Sequence, residues 1–348
     1  MDAAAEHPLA PLTTLRLGGA AARLVRAESE GDLVDAVRQA DAGGGPVLVL
    51  AGGSNVVVAD AGVPGTVVHV ATRGISREGD ELTVAAGEPW DEFVGFCVEH
   101  GLAGVECLAG IPGSTGATPI QNVGAYGQDV AETVVRLRAL DRATGDVVSL
   151  AAADLGFGYR TSALKGRDRH VVLSVTFELR PSPTGGPIRY AELARRLGVG
   201  VGGSAPLAAI RAAVLDLRRG KGMVVDPADP DSTSAGSFFT NPILDHDAFA
   251  ALEARAPEPP PAWPEPDGRI KTSAAWLIER AGFHRGLERG RVGISTKHTL
   301  ALVNRGGAET AELVALAREI ADGVQDRFGV ELTPEPVFVG HAWNQAGR

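Results

Sequence analysis

Val47-Leu48-Val49-Leu50-Ala51-Gly52-Gly53-Ser54-Asn55-Val56-Val57-Val58 joins an apolar run, a paired-glycine turn and a β-branched run. The first four residues predict a strand buried on both faces. Gly52 and Gly53 let successive backbone N–H groups converge on an anion, and Ser54 and Asn55 add side-chain donors. The element after the turn decides the fold. A Rossmann turn opens a helix whose N-terminus receives pyrophosphate, but Val56–Val58 predicts a strand. The chain has neither GxGxxG nor a P-loop lysine at this turn. A pyrophosphate would rest here on a loop nest between strands. By itself the turn reads equally well as a plain tight turn.

Working outward, Leu24 to Arg26, Val67 to Val70 and Leu82 to Ala85 read as strands, and Asp32 to Ala40 as a helix. Pro89 opens a second helix carrying Trp90, Phe93, Phe96 and Cys97, closed by Gly101. Residues 101–127 are glycine-dense. Ile111, Pro112, Ile120, Val123 and Tyr126 interleave with those glycines. Flexible linkers lack such anchors, so this is an ordered loop suited to lie against a large planar group. Val134 to Leu140 and Val147 to Leu150 form a hairpin around Ala143-Thr144-Gly145-Asp146, and Val171 to Leu179 is a strand. Pro206 to Leu217 is a helix, Ala256 to Pro266 an exposed extended segment, and Thr310 caps a long C-terminal helix.

A length of 348 residues predicts two or three domains, and 44% hydrophobic with 22% charged content is ordinary for a globular protein. A net charge of −10 without a long basic run argues against nucleic acid. Cys97 and Cys107 are too few for a disulfide framework, which favours a reducing cytoplasm. Met1 to Leu15 does not read as a signal peptide, and no stretch reaches the length of a membrane span. The histidines show no metal spacing, so no metal is expected.

Ala235-Gly236-Ser237-Phe238-Phe239-Thr240-Asn241-Pro242 sets one hydroxyl between a glycine and two rings that must be buried. Apolar anchors of this kind hold a site hydroxyl in one rotamer. With Thr13 to Gly19, Ala51 to Asp60, Gly104 to Gly127, Tyr159-Arg160-Thr161-Ser162 with Lys165, Lys271 to Gly282, Val303 to Gly306 and Leu332-Thr333-Pro334-Glu335, the chain resembles the UDP-N-acetylenolpyruvoylglucosamine reductases along nearly its whole length. Thr240, Thr161, Pro336 and the Gly220–Met223 stretch depart from the family pattern.

The resemblance implies an α+β fold. A two-part FAD-binding domain of the vanillyl-alcohol-oxidase type would occupy 1–75 and 76–183, a connector with a substrate-contact segment 184–205, and a substrate-binding domain 206–348. It implies noncovalent FAD held by Gly52, Gly53, Ser54, Asn55, Ile111, Pro112, Gly113, Ser114, Gly116, Asn122, Gly124 and Tyr126. It also implies NADPH as reductant and UDP-N-acetylglucosamine enolpyruvate as substrate, the product being UDP-N-acetylmuramate for peptidoglycan. Ser237 would be the proton donor, with Arg160 and Glu335 stabilising the enolate. Tyr159, Tyr190, Arg218, Lys221 and Asn241 are the substrate-binding candidates. Taken singly each has a plainer reading: a surface ion pair for Arg160, a turn cap for Ser237, a turn start for Asn241. A monomer is expected. The rival readings are an oxidase on the same fold and a nucleotide-sugar-binding protein without turnover.

Overall fold

The computed structural model describes residues 7–343. The chain divides into two compact units. One holds Ala21–Gly53 and Val63–Gly220; the other holds Pro8–Ala20, Ser54–Gly62 and the chain from Lys221 onward. The sequence boundary near 181–205 therefore moves. The helix Leu207–Gly220, expected to open the C-terminal domain, packs in the first unit against the turn Glu106–Leu108 and the helix Trp90–Glu99. The extreme ends of the expected 1–75 and 206–348 domains, and the start of the Met1–Leu15 segment, lie outside the described residues.

In the first unit the strands Ala20–Ala27 and Val47–Leu50 flank Val63–Val70, both parallel to it. The helix Glu30–Ala42 connects the two outer strands, as a parallel crossover requires. It starts in a capping box: Ser29 Oγ accepts from the Asp32 amide at 3.1 Å, and Asp32 accepts in return from the Ser29 amide at 3.1 Å. Its apolar stripe, Leu33, Val34, Ala36, Val37 and Ala40, is buried. Val47–Leu50 is less covered than its composition predicts, since only Leu50 is fully buried.

Beyond it lies a five-stranded antiparallel sheet in the order Val147–Ala151, Val134–Asp141, His170–Glu178, Glu81–Ala85, Ile75–Glu78. Phe177 on its central strand meets Phe93 at 5.0 Å and Trp90 at 5.9 Å between ring centroids. All three rings are fully buried, and together they fix the helix Trp90–Glu99 on this unit. Trp90 Nε1 donates to the Leu108 carbonyl at 3.0 Å, tying the start of the glycine-rich loop to that helix.

At the end of Val134–Asp141, Asp141 accepts from Arg169 Nη2 at 2.7 Å and Nε at 3.0 Å, and from the Ala143 amide at 3.0 Å. The Arg169 hydrogen bonds hold the Asp141 carboxyl down to about 2, against about 3.9 for a free aspartate. A carboxyl that is more acidic in the folded state stabilises it above the unfolded value and loses that contribution as pH falls through the folded one. Asp141→Asn should therefore lower the melting temperature at neutral pH, by an amount that shrinks between about pH 4 and about pH 2. Thermal melts of both proteins across that window test it; a pH-independent difference contradicts the ion-pair origin.

The second unit carries an antiparallel sheet in the order Ser234–Ser237, Ala301–Asn304, Val292–Ile294, Glu288–Arg289, covered by the helix Thr310–Phe328. Its core joins Leu15, Leu17 and Val57 from the N-terminal segments to Phe238, Phe239, Leu277, Leu302, Leu313, Ile320 and Phe328. Val56–Val58 pairs in parallel with Val337–Val339, which explains the β-branched run after the glycine turn. Thr310 does not cap the long helix as expected. Glu309 is the N-cap, its amide donating to Glu312 Oε2 at 2.8 Å, while Thr310 Oγ1 donates to the Val58 carbonyl at 2.7 Å. Ala256 to Pro266 is mostly exposed, with Trp263–Pro264 paired to Ile270–Lys271.

Candidate active site

In the first unit the two glycine-rich segments meet backbone to backbone. A Cβ on Gly52 would lie 2.6 Å from the Gly113 Cα and 3.0 Å from the Ser114 amide nitrogen, and one on Gly116 would lie 2.5 Å from Ala86 Cβ. Gly53, Gly110 and Gly113 sit at φ +58°, +72° and +118°, a region that favours glycine. The Gly110 amide donates to Asp91 Oδ1 at 2.6 Å, and the Thr115 and Gly116 amides donate to Glu88 and Ala86 carbonyls at 2.8 and 2.9 Å. Gly52, Gly113, Ser114 and Gly116 thus lie in one close-packed wall, with Ile111 and Pro112 in the same loop between Gly110 and Gly113. Such a wall lets main-chain N–H groups come close to a pyrophosphate, so the residues fit a dinucleotide cofactor.

Four non-glycine residues among the described ones have positive φ: Arg16, Asn122, Tyr126 and Arg160. Three of these are sequence-derived site residues. Such backbone costs of order 1–3 kcal/mol and collects at functional sites where the surroundings enforce it. Here the enforcement is visible. Gly158 and Thr161 close a tight turn through paired amide–carbonyl bonds at 3.0 and 3.3 Å, with Tyr159 and Arg160 at its tip. Asn122 Nδ2 donates to the Gly158 carbonyl at 3.0 Å, and Lys165 Nζ to the Arg160 carbonyl at 2.8 Å. The Arg160 guanidinium donates to the Gly124 carbonyl at 2.6 Å and lies 5.5 Å from the Tyr159 ring centre. Tyr126 and Tyr190 meet edge to face at 5.6 Å, and Tyr190 is 49% exposed at the start of the helix Ala191–Leu197. Arg218 is buried. Burial pulls its guanidinium down to about 10, Arg160 adds to the fall, and Tyr126 and Asp91 oppose it. The first unit therefore gathers Asn122, Gly124, Tyr126, Tyr159, Arg160, Tyr190 and Arg218 around one set of loops.

In the second unit the strand Ser234–Ser237 carries an irregularity. Ser234 pairs with Val303 and Ser237 with Ala301, so the serine strand has one residue more than its partner, and Gly236 within it has φ +73°. A bulge with a left-handed glycine re-aims the side chain after it. Phe238 and Phe239 then fill the core, edge to face at 5.2 Å. The Phe238 amide donates to the Leu300 carbonyl at 2.7 Å, and the Phe238 carbonyl accepts from the Glu335 amide at 2.8 Å. The residue that follows Ser237 is thus tied through its backbone to Glu335, nearly a hundred positions further along the chain. Asn55 joins them: its Nδ2 donates to the Glu335 carbonyl at 3.2 Å, and its own carbonyl accepts from Val337 at 2.9 Å. Ser54 accepts from Thr14 Oγ1 at 3.5 Å through its carbonyl.

Asn241 lies beside the start of a helix. Its Oδ1 accepts from the Ala274 amide at 3.0 Å, at the start of the helix Ala274–Arg280, so it serves that helix end. Lys221 is half-buried at the start of the second unit, just past the helix Leu207–Gly220. The sequence reading missed Asp91, which holds the Gly110 amide and pairs with Arg211 at 3.2 Å. It also missed Asp129, 3.9 Å from Arg160. A lone carboxylate beside a glycine-rich loop gives no periodic or motif signal. Among the described residues no cluster of side chains could hold a metal ion, and no helix is long and apolar enough to cross a membrane.

Residues 21–151 match the FAD binding domain family, and residues 227–339 match the C-terminal domain of UDP-N-acetylenolpyruvoylglucosamine reductase. The UDP-N-acetylenolpyruvoylglucosamine reductase of Thermobifida fusca is 59% identical over 344 residues, covering 96% of this chain and 97% of that protein. The chain belongs to the UDP-N-acetylenolpyruvoylglucosamine reductase family. The reductase of Salinispora arenicola is also 59% identical, over 97% of this chain and 96% of its own. The crystal structure of the reductase from Thermus caldophilus superposes with a TM-score of 0.67 at 26% identity, covering 95% of this chain and 97% of that one. As a member of the reductase family the chain is a flavin-dependent oxidoreductase of peptidoglycan precursor synthesis with an α+β fold, and FAD is its cofactor.

Proposed function

We propose that this chain reduces the enolpyruvyl ether of UDP-N-acetylglucosamine enolpyruvate to UDP-N-acetylmuramate, with NADPH as the electron source and as a monomer in the cytoplasm. FAD, held by the Gly52–Gly53 turn and the Gly110–Gly116 loop, would supply the hydride-transfer chemistry between NADPH and the terminal methylene carbon of the substrate. The residues of the chain handle the charge that results. Negative charge develops on the carbon next to the methylene and spreads into the substrate carboxylate, and donors are needed there. Arg160 takes that carboxylate through its guanidinium. Glu335 serves only as a hydrogen-bond donor, because an ionised glutamate would repel a dianion; it is therefore protonated in the complex. Ser237 gives its proton to the carbanionic carbon, a base strong enough to take it from a hydroxyl. Arg218, Lys221 and Tyr190 receive the nucleotide diphosphate, with Tyr159 beside Arg160.

The observation that supports this reading best is the backbone bond from Glu335 to Phe238, the residue after Ser237, with a bulge placed immediately before the serine. A merely structural serine needs no such bulge. The test is an anaerobic half-reaction. The bound flavin is photoreduced, the enolpyruvyl nucleotide is added without oxygen, and the absorbance is tracked over time. Reoxidation matched by formation of the muramate product is expected. Persistence of the reduced flavin, or reoxidation only by dioxygen with release of peroxide, sinks the proposal and favours an oxidase.

A further inference from the structure

Arg160 is long and flexible, yet a guanidinium that grips a carboxylate must present one edge in one direction. The backbone contacts fix part of that orientation: Nη2 donates to the Gly124 carbonyl at 2.6 Å and Nη1 to the Asn122 carbonyl at 3.4 Å. A third group lies on the same side. Asp129 Oδ1 is 3.9 Å from Arg160 Nη1. Asp129 faces Gly124 across a two-rung antiparallel ribbon, in which Gln128 pairs with Ala125. A Cβ on Gly124 would overlap Asp129 Oδ1 and stand 3.0 Å from Arg160 Nη1. The carboxylate therefore lies over the Gly124 α-carbon, in space that only glycine leaves open.

The ribbon is also anchored from below. Gln128 Nε2 donates to Glu106 Oε1 at 3.0 Å, and Gln128 Oε1 accepts from the Cys107 amide at 2.8 Å. Glu106 is 1% exposed and accepts from the Gly104 amide at 2.7 Å through Oε2. Asp129 is thus carried on a rung tied to a buried carboxylate–amide network, although its own side chain is half-exposed. A half-exposed pair of this length adds little to stability. Its effect falls on orientation.

We propose that Asp129 is a positioning residue for Arg160, its charge fixing the rotation of the guanidinium about its own stem so that the edge remote from Gly124 meets the substrate carboxylate. This rests on the reading of Arg160 as the group that takes that carboxylate. The test is a double-mutant cycle on the flavin-loaded enzyme, using Asp129→Asn, Arg160→Ala and the combined variant. It reads kcat and KM for the enolpyruvyl nucleotide, flavin content and melting temperature. Asp129→Asn should lower kcat about tenfold, equal to about 1.4 kcal/mol of barrier, with flavin content and melting temperature unchanged. In the Arg160→Ala background the same substitution should cost nothing further, because a residue that acts through another loses its effect when that one is gone. An equal loss in both backgrounds, or no loss in either while Arg160→Ala is severely impaired, overturns the role of Asp129 and leaves that of Arg160 standing. An unchanged kcat in Arg160→Ala overturns both.

Discussion

Ser237→Ala should slow transfer to the enolpyruvyl nucleotide at least about 100-fold, the usual cost of losing one well-placed donor, while NADPH consumption in the first half-reaction keeps its rate. The separation comes from where the hydroxyl acts. It sits after a left-handed glycine in a bulged strand, and its neighbour Phe238 shares a backbone hydrogen bond with Glu335. Nothing in the proposed chemistry asks this hydroxyl to help NADPH deliver its hydride. The fold should tolerate the change, because Phe238 and Phe239 carry the apolar anchoring and Ser237 is only half-buried. Stopped-flow absorbance of the two half-reactions, measured separately, gives the answer. Equal slowing of both would assign Ser237 to cofactor seating, and no slowing of the second would remove it from the chemistry.

Gly52→Ala should yield a largely colourless protein. The added methyl would stand 2.6 Å from Gly113 Cα, 2.9 Å from the Gly113 carbonyl carbon and 3.0 Å from the Ser114 nitrogen. All three are backbone atoms, so no side chain can swing away to make room. Moving the loop by the missing distance costs on the order of 1–3 kcal/mol, as for other overpacked sites. That strain falls on the wall proposed to receive the pyrophosphate. Retention of FAD should drop about tenfold or more, since each 1.4 kcal/mol is a factor of ten. Flavin absorbance per mole of purified protein, before and after incubation with excess FAD, measures it. Full occupancy with an unaltered spectrum would show that this wall does not carry the cofactor.

How much of the molecule is legible in the chain depends on the range of each physical signal. Val56–Val58 announces a strand and so excludes a Rossmann turn, because β-branching and the missing helix start are local facts. Its partner, Val337–Val339, lies near the other end of the chain, and no local pattern names it. The stripe Leu207, Ile210 and Val214 announces a helix with one buried face. A stripe states that a face is covered and not what covers it, so sequence alone assigns the helix to the wrong unit. Ser237 is readable because two phenylalanines after Gly-Ser have one economical arrangement, with the rings in the core. The bulge that aims it is invisible, since it depends on register against Ala301–Asn304. Asp129 is missed for the same reason: its ribbon is two residues per strand, too short for any period to show.

The parallel pairing of Val56–Val58 with Val337–Val339 orders events at the ribosome. During synthesis Val56–Val58 waits for its strand partner until Val337–Val339 has emerged, and Leu15, Leu17 and Val57 wait for Phe328 to complete their core. The region recognised as the carboxy-terminal domain is therefore not an autonomous translation product. One strand of its parallel pair is made long before the other, and a nascent chain that stops short of Val337 leaves Val56–Val58 without that partner.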